Sequence, residues 1–323
     1  MSKSNSRNNN IDLLKIVLSL FVVAAHIFPT TEVEGSKSYV FYMIQGLARL
    51  TLPLFLLITG YFISAKIHDL NFIKKTAKKL FILFIVWQLL YFKIEYDFFK
   101  LNAISTLRFI SDLFYGIGHL WYLIATCLAL FLIYFTRKLS DINKLILGVF
   151  LISIGYLLQV IFELKLVTNP IYFNIFYGIG TSRNFLFYAF PYLLIGVSHN
   201  LWMKDAKKYK FLLLPLLVLL IAESFYYMGI NSSIFNIFIL PLPLSMLIFS
   251  WVTNLKQQFK YSTPSTLSLG FYLIHFYIIL EVFKKYQSVS YFSYYLKFLI
   301  VVLGTFVVWY ILDKINKKIA ILF

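Results

Sequence analysis

Residues 11–28 read IDLLKIVLSLFVVAAHIF, an apolar stretch long enough to cross a bilayer as a helix but carrying, besides Asp12 at its start, two ionisable residues, Lys15 and His26. Ionisable groups are costly inside a membrane, so either the pair serves a site or pathway, or Lys15 snorkels to the inner headgroups and His26 is an interfacial polar residue. Ten residues lie between them. Eleven steps at about 100° each return to within roughly 20° of the starting direction, about 16 Å further along the axis. Both side chains therefore share one face, with a cation near one surface and an imidazole beyond the midplane. That arrangement predicts a polar track through protein.

The rest of the chain repeats the apolar part of the pattern. Of 323 residues, 60% are hydrophobic and 13% charged, and the mean hydropathy is +0.80, so the class is a polytopic membrane protein. At about 20 apolar residues per crossing, runs beginning near Ile11, Tyr39, Leu80, His119, Lys144, Phe185, Phe211, Ile234, Leu267 and Phe292 predict ten helices with short connections. We expect an all-α transmembrane bundle that forms one domain over residues 1–323, with residues 1–10 as a polar cytoplasmic leader. The leader, MSKSNSRNNN, gives the first run the look of a secretory signal. Lys15 in its core, and no small-x-small site before the loop TTEVEGSKS at residues 30–38, predict a retained helix instead.

A net charge of +17 also suits a nucleic-acid binder, but here the basic residues alternate loop by loop, which is a topology signal. Lys3 and Arg7 precede the first run; Lys66, Lys74, Lys75, Lys78 and Lys79 follow the second; Arg137, Lys138 and Lys144 follow the fourth. Lys204, Lys207, Lys208 and Lys210 follow the sixth, Lys256 and Lys260 the eighth, and Lys314, Lys317 and Lys318 close the chain. These make 19 of the 30 basic residues on one side. The opposite loops hold Lys37 beside Glu32 and Glu34, Lys100 and Arg108 beside Asp97 and Asp112, and Arg183. Both termini are then expected in the cytoplasm, and an even helix number agrees. The expected partner of this surface is the lipid bilayer, with no nucleic acid.

With that topology the polar residues collect towards the outer ends. Arg49, in LARLTLPLFLLITGYF at residues 47–62, stays protonated and needs a carboxylate, a carbonyl or an anionic ligand. Pro53, one turn on, removes a backbone donor and opens the helix locally. The segment GIGHLWYLIA, residues 116–125, sets His119 beside Trp121 and Tyr122 directly after two glycines, although interfacial aromatics are ordinary. The segment GIGTSRNFLFYAFPYLLIG, residues 178–196, leads a helix with Ser182, Arg183 and Asn184. Ser182 can cap that helix, whose free N–H groups favour an anion nearby. His275, in LGFYLIHFYII, is either a pore-lining ligand or a histidine bonded across helices. Glu223 reads as a counter-charge for a buried cation, and His68 and His199 as solvated. The lone Cys127 makes no disulfide or thiolate cluster and reads as packing. No metal site is expected, and neither a phosphate-binding glycine loop nor a Ser-His-Asp spacing is present.

Taken in chain order, IDLLKIVLSLFVVAAHI with Lys15 and His26, RLTLPLFLLITGYFI with Arg49, HLWYLIA, TSRNFLFYAFPYLLIG and LSLGFYLIH resemble the acyltransferase-3 family of bacterial membrane acyltransferases. The resemblance covers nearly the whole chain. It implies ten helices with an inward N-terminus in the bacterial cytoplasmic (inner) membrane. It also implies transfer of an acyl group, commonly acetyl from cytoplasmic acetyl-CoA, to a hydroxyl of an extracytoplasmic or lipid-linked envelope polysaccharide. No permanently bound cofactor is expected. Several members carry a C-terminal hydrolase-like domain, whereas this chain stops at Phe323, so action alone or with a separate partner protein is implied, on an exopolysaccharide, O-antigen or related glycan rather than peptidoglycan.

Laid against that chemistry, Lys15 is expected to hold the donor or stabilise charge on its thioester, and His26 to act as general base or transient acyl carrier. Arg49 and Arg183 are expected to stabilise the oxyanion or grip an anionic part of a substrate. His119, Trp121, Tyr122, Ser182, Asn184 and His275 complete the expected substrate-binding set. A small-solute, amino-acid-like transporter built on the same membrane domain is the alternative, because buried ionisable residues also line permeation pathways. Against it stand the lack of a two-fold repeat and of paired broken helices. A non-catalytic scaffold for an envelope-synthesis complex is a third reading, and it predicts that His26 is dispensable.

Overall fold

A computed structural model describes residues 8–28, 39–98, 103–163, 184–230, 236–255, 264–284 and 293–323. All regular structure among them is helical. The α-helices are α1 (Asn9–Ile27), α2 (Tyr39–Ala48), α3 (Thr51–Ile63), α4 (Leu70–Phe98), α5 (Ala103–Tyr115), α6 (Trp121–Phe135) and α7 (Asp141–Glu163). They continue with α8 (Phe190–Val197), α9 (His199–Ala206), α10 (Leu213–Ser224), α11 (Pro241–Thr253), α12 (Leu267–Ile278) and α13 (Tyr294–Ile319). Wider π-helical turns lead into α8 (Phe185–Ala189) and follow α10 (Phe225–Ile230) and α12 (Ile279–Lys284).

Six stretches are long and apolar enough to cross a membrane: Asn9–Ile27, Tyr39–Lys66, Gly118–Phe135, Asp141–Glu163, His199–Met228 and Tyr294–Ile319. Three shorter apolar helices, Phe185–Val197, Pro241–Thr253 and Leu267–Glu281, account for further runs. The remaining run lies inside α4, which opens on Lys74, Lys75, Lys78 and Lys79 and ends on Lys93, Glu95 and Asp97. Only 13 uncharged residues lie between Lys79 and Lys93 of α4, whereas Asp141–Glu163 keeps 18 between Lys144 and Glu163.

Two local features shape the site. Asn8 caps α1 by accepting from the Asn10 N–H at 3.0 Å. The second crossing is broken at Arg49–Leu50, because Pro53 has no N–H to offer the Arg49 carbonyl one turn back. The break is held together by the Arg49 N–H, shared between the Gln45 and Gly46 carbonyls, and by Thr51 Oγ1 donating to Ala48 at 2.7 Å.

Two large cores fill the bundle, one built largely on α3, α6, α8 and α11, the other on α1, α4, α12 and α13, and Ala24, Phe28 and Phe41 form a small third. In the first, α3 and α8 cross with Gly60 and Gly196 face to face. A Cβ on Gly60 would lie 2.3 Å from the Leu193 carbonyl oxygen, and one on Gly196 would lie 2.2 Å from that of Leu57. Where lipid tails are as apolar as leucine, such close backbone approach is what holds two membrane helices together. Gly196→Val is therefore expected to overpack the crossing by about 1–3 kcal/mol, read as a lowered Tm in detergent. An unchanged Tm would mean the two helices separate without consequence.

Candidate active site

His26 lies in the last turn of α1, exposed to a cleft between the two cores. Gln45, itself buried, fixes the end of α1 by donating its side-chain N–H groups to the Ala25 and Phe28 carbonyls. The cleft has a water-accessible volume of about 180 Å³. Its walls are Val22, Ala25, His26, Gln45, Ala48, Arg49, Thr51, Leu52, Gly118, His119, Trp121, Tyr188, Asn236 and Tyr272. No carboxylate lines it among the described residues, so Arg49 sets its sign. Such a site suits an anionic ligand or a developing oxyanion.

His119 reaches the cleft through a turn that only glycine fits. Gly116 and Gly118 have φ of +101° and +58°, and a Cβ on Gly116 would lie 2.6 Å from the Trp121 nitrogen. Gln88 pins the turn from outside, donating to the Asp112 carbonyl at 2.7 Å and accepting from the Ile117 N–H at 3.2 Å. Tyr272 closes the far side with its hydroxyl on the His119 carbonyl. Neither ring nitrogen of buried His119 reaches good hydrogen-bond geometry among the described residues; the backbones of Tyr272 and Leu273 are polar neighbours.

Three imidazoles meet here. The His26 ring lies 6.3 Å from that of His119 and 5.2 Å from that of His275, and His119 and His275 are 5.1 Å apart, centroid to centroid. Phe276 packs against all three. His275 is fully buried behind the cleft wall, its Nδ1 2.8 Å from the Phe271 carbonyl.

Arg49 sits at the helix break with its guanidinium carbon 5.7 Å from the Phe238 ring centre. The segment before α11 brings in Asn236 and is clamped twice. Gln159 accepts from the Asn236 and Ile237 N–H groups at 2.7 and 3.0 Å and donates to the Ile237 carbonyl. Glu223 accepts from the Ile239 and Leu240 N–H groups at 2.7 and 3.2 Å. The reading of Glu223 as counter-charge to a cation is thus corrected: its described partners are the free amides at the start of α11, where a carboxylate is favoured.

Of the residues expected from sequence, His26, Arg49, His119 and Trp121 line one cleft, with His275 directly behind. Lys15 does not line it. Lys15 lies towards the other end of α1, 3.5 Å from Asp12 and with its ammonium 5.1 Å from the Phe62 ring centre. Helix α1 thus runs antiparallel to α2–α3, with Phe62 against Lys15 at one end and Gln45 on the carbonyls of Ala25 and Phe28 at the other. Tyr122 packs on Tyr272 at 5.5 Å outside the cleft. Asn184 caps the turn into α8, accepting from the Phe187 N–H at 2.7 Å, and lines a separate apolar groove beside Trp121. Ser182 and Arg183 lie outside the described residues. Sequence reading missed Gln45, Thr51, Tyr188, Asn236 and Tyr272. Gln45 had a signal, a polar residue four before Arg49 on one helical face; the others had none.

A family model described as an acyltransferase domain matches residues 8–314. The chain belongs to the acyltransferase-3 family. Two curated proteins are similar to this acyltransferase-3 chain. One is called an amino-acid racemase, from Enterococcus faecalis, 26% identical over 98% of this chain and 47% of its own length. The other is called a serine/alanine racemase, from Enterococcus gallinarum, 26% identical over 88% of this chain and 43% of its own length. The chain therefore spans about half the length of the curated relatives it matches. No solved structure matches it.

Proposed function

We propose that this acyltransferase-3 chain is a membrane O-acyltransferase, which moves an acetyl group from cytoplasmic acetyl-CoA to a hydroxyl of an extracytoplasmic or lipid-linked envelope glycan. The observation that carries the reading is the cleft itself. An exposed imidazole, an arginine and no described carboxylate meet at the end of the helix whose other end bears Lys15. The topology belongs to the same proposal: ten crossings of the bacterial cytoplasmic membrane with both termini inside, so that Lys15 faces the donor and His26 the acceptor. His26 takes the proton of the acceptor hydroxyl as it attacks the thioester carbonyl, or carries the acyl group itself. Arg49 stabilises the oxyanion. Trp121, Tyr188 and Tyr272 offer ring faces to a sugar, while Gln45, Thr51 and Asn236 offer it hydrogen bonds. A glycan-synthesis partner protein would supply the acceptor.

Amino-acid transport is the competing reading, because buried ionisable residues also line permeation pathways; the names of the two relatives say only that those proteins racemise amino acids. Labelled acetyl-CoA enclosed in proteoliposomes, with an envelope glycan fraction outside, separates the two. Label on the external glycan supports the enzyme; uptake of labelled serine with no label transferred sinks it. In the same assay Gln88→Leu, which frees the turn that presents His119, is expected to lower turnover tenfold or more, since a misplacement of about 1 Å costs on the order of 10²-fold. Gln88→Glu keeps the acceptor for Ile117 and is expected to fall between. Wild-type turnover in Gln88→Leu would mean the turn needs no external hold.

A further inference from the structure

Helix α13 buries a single stripe. Val301, Thr305 and Trp309 lie four residues apart and are its buried residues, and Asp313 continues the series with its side chain 14% exposed. Three of these four inward positions are polar, in a helix otherwise apolar enough to cross a membrane. Polar side chains inside membrane bundles are kept where something answers them. Asp313 is answered, by the Thr266 hydroxyl at 2.7 Å and Lys317 at 3.3 Å. Thr305 Oγ1 and Trp309 Nε1 have no protein partner among the described residues, and neither has Nε2 of His275 on α12. All three residues are at least nine-tenths buried.

Thr305 and Trp309 lie on the buried stripe of α13, and His275 on α12, the helix packed against it. Helices α12 and α13 run antiparallel, with Thr266 against Asp313, Gly270 against the Trp309 indole, and Ile278 against Gly304. That register sets Thr305 level with His275. Ordered by height along the two helices, the polar groups run from His26 and His119 at the cleft through His275, Thr305 and Trp309 to Asp313 and Lys317. The run covers nine residues of α12, about 13 Å.

We propose that the α12–α13 seam holds a file of water molecules that conducts protons between His26 in the cleft and Asp313 towards the opposite end of the bundle. Buried donors and acceptors without protein partners are answered by ordered water, which takes two to four such partners. The proposal rests on the acyl-transfer reading for its purpose. In that reaction the thioester C–S bond breaks and a C–O bond forms; the hydroxyl proton is released in the cleft, and the departing thiolate takes up a proton at the donor end. With donor and acceptor at opposite ends, each turnover would leave one proton behind in the cleft and consume another at the donor end, working against the membrane potential. The seam returns that proton. His26 takes it from the hydroxyl, and a water passes it to His275 Nε2. The Thr305 hydroxyl relays it between waters, the Trp309 N–H orients the next water, and Asp313 delivers it beside Lys317. Acyl group and proton then exchange one for one, and the transfer moves no net charge.

The test uses the full chain in liposomes and begins without substrate. Millisecond hydroxyl-radical labelling read by mass spectrometry is expected to oxidise Trp309 despite its burial, and to leave Phe249, fully buried away from the seam, unmodified. Thr305→Val is expected to reduce Trp309 labelling several-fold and Thr305→Ser to restore it. An unlabelled Trp309 in the wild type overturns the proposal, whatever becomes of the acyl-transfer reading. Next, with acetyl-CoA and a pH dye enclosed and an envelope glycan fraction outside, wild-type transfer is expected to leave the lumen pH unchanged. Thr305→Val is expected to lower kcat about tenfold or more with KM unchanged, its residual transfer making the lumen alkaline, and Thr305→Ser to recover. Wild-type alkalinisation, or full kcat in Thr305→Val, overturns the proton role. Labelled Trp309 with no transfer by the wild type sinks the acyl-transfer reading, and the proton role with it.

Discussion

His26→Ala is expected to abolish acyl transfer, by about 10²–10⁴-fold or to background, with the protein inserted and folded as before. The size follows from the role: the residue that takes the hydroxyl proton, or itself accepts the acyl group, has no substitute on the cleft wall. His119 is buried and enters through a pinned turn, and His275 stands behind the wall. Stability is expected to change little because the His26 ring is exposed to the cleft, so truncation leaves no sealed cavity. The measurement is label transfer at matched protein level, with Tm in detergent as the folding control. External imidazole is expected to recover part of the rate, since the space left by the ring opens to solvent. Full activity in His26→Ala at unchanged Tm would sink the catalytic reading and favour the scaffold.

Arg49→Lys is expected to lose about 10²–10³-fold in kcat, close to the loss in Arg49→Ala. A lysine keeps the charge but not the planar fork, and charge alone does not hold two oxygens in fixed directions. The side chain starts from a helix break, lies over the Phe238 ring and lines the cleft. Lysine would carry a point charge on a stem that Phe238 does not orient. If Arg49→Lys keeps more than about half the turnover while Arg49→Ala does not, the arginine supplies charge alone and the oxyanion assignment fails.

The membrane class and the helical fold were legible because lipid leaves few choices: backbone groups must bond within the segment, so apolar runs of bilayer length are helices. Periodicity set Lys15 and His26 on one face of α1 but named no neighbour for either: Lys15 has Asp12 and Phe62, His26 the rings of His119, His275 and Phe276. Pro53 announced the break beside Arg49 one turn ahead. Span number was harder to read. Helices α8, α11 and α12 are short, and α4 is long but charged at both ends, so hydropathy over a fixed window treats them differently from the other six. Glu223 was misread because a carboxylate in an apolar run suggests a cation, whereas its partners are amides from a segment sixteen residues on.

By itself the sequence determined which residues are costly in a membrane and which of them share a face along one helix, since both follow from composition and a fixed helical repeat. Only the tertiary structure decided that α1, the Arg49 break, the Gly116–Gly118 turn, Tyr188 and Asn236 converge on one cleft. It also decided that buried Gln45, Gln88 and Gln159 each hold one of the converging segments. The physical reason is that a helix's rotation and tilt are set by packing against its neighbours, as Gly60 against Gly196 sets α3 against α8. No local rule connects a glutamine to a carbonyl or amide twenty to eighty residues away.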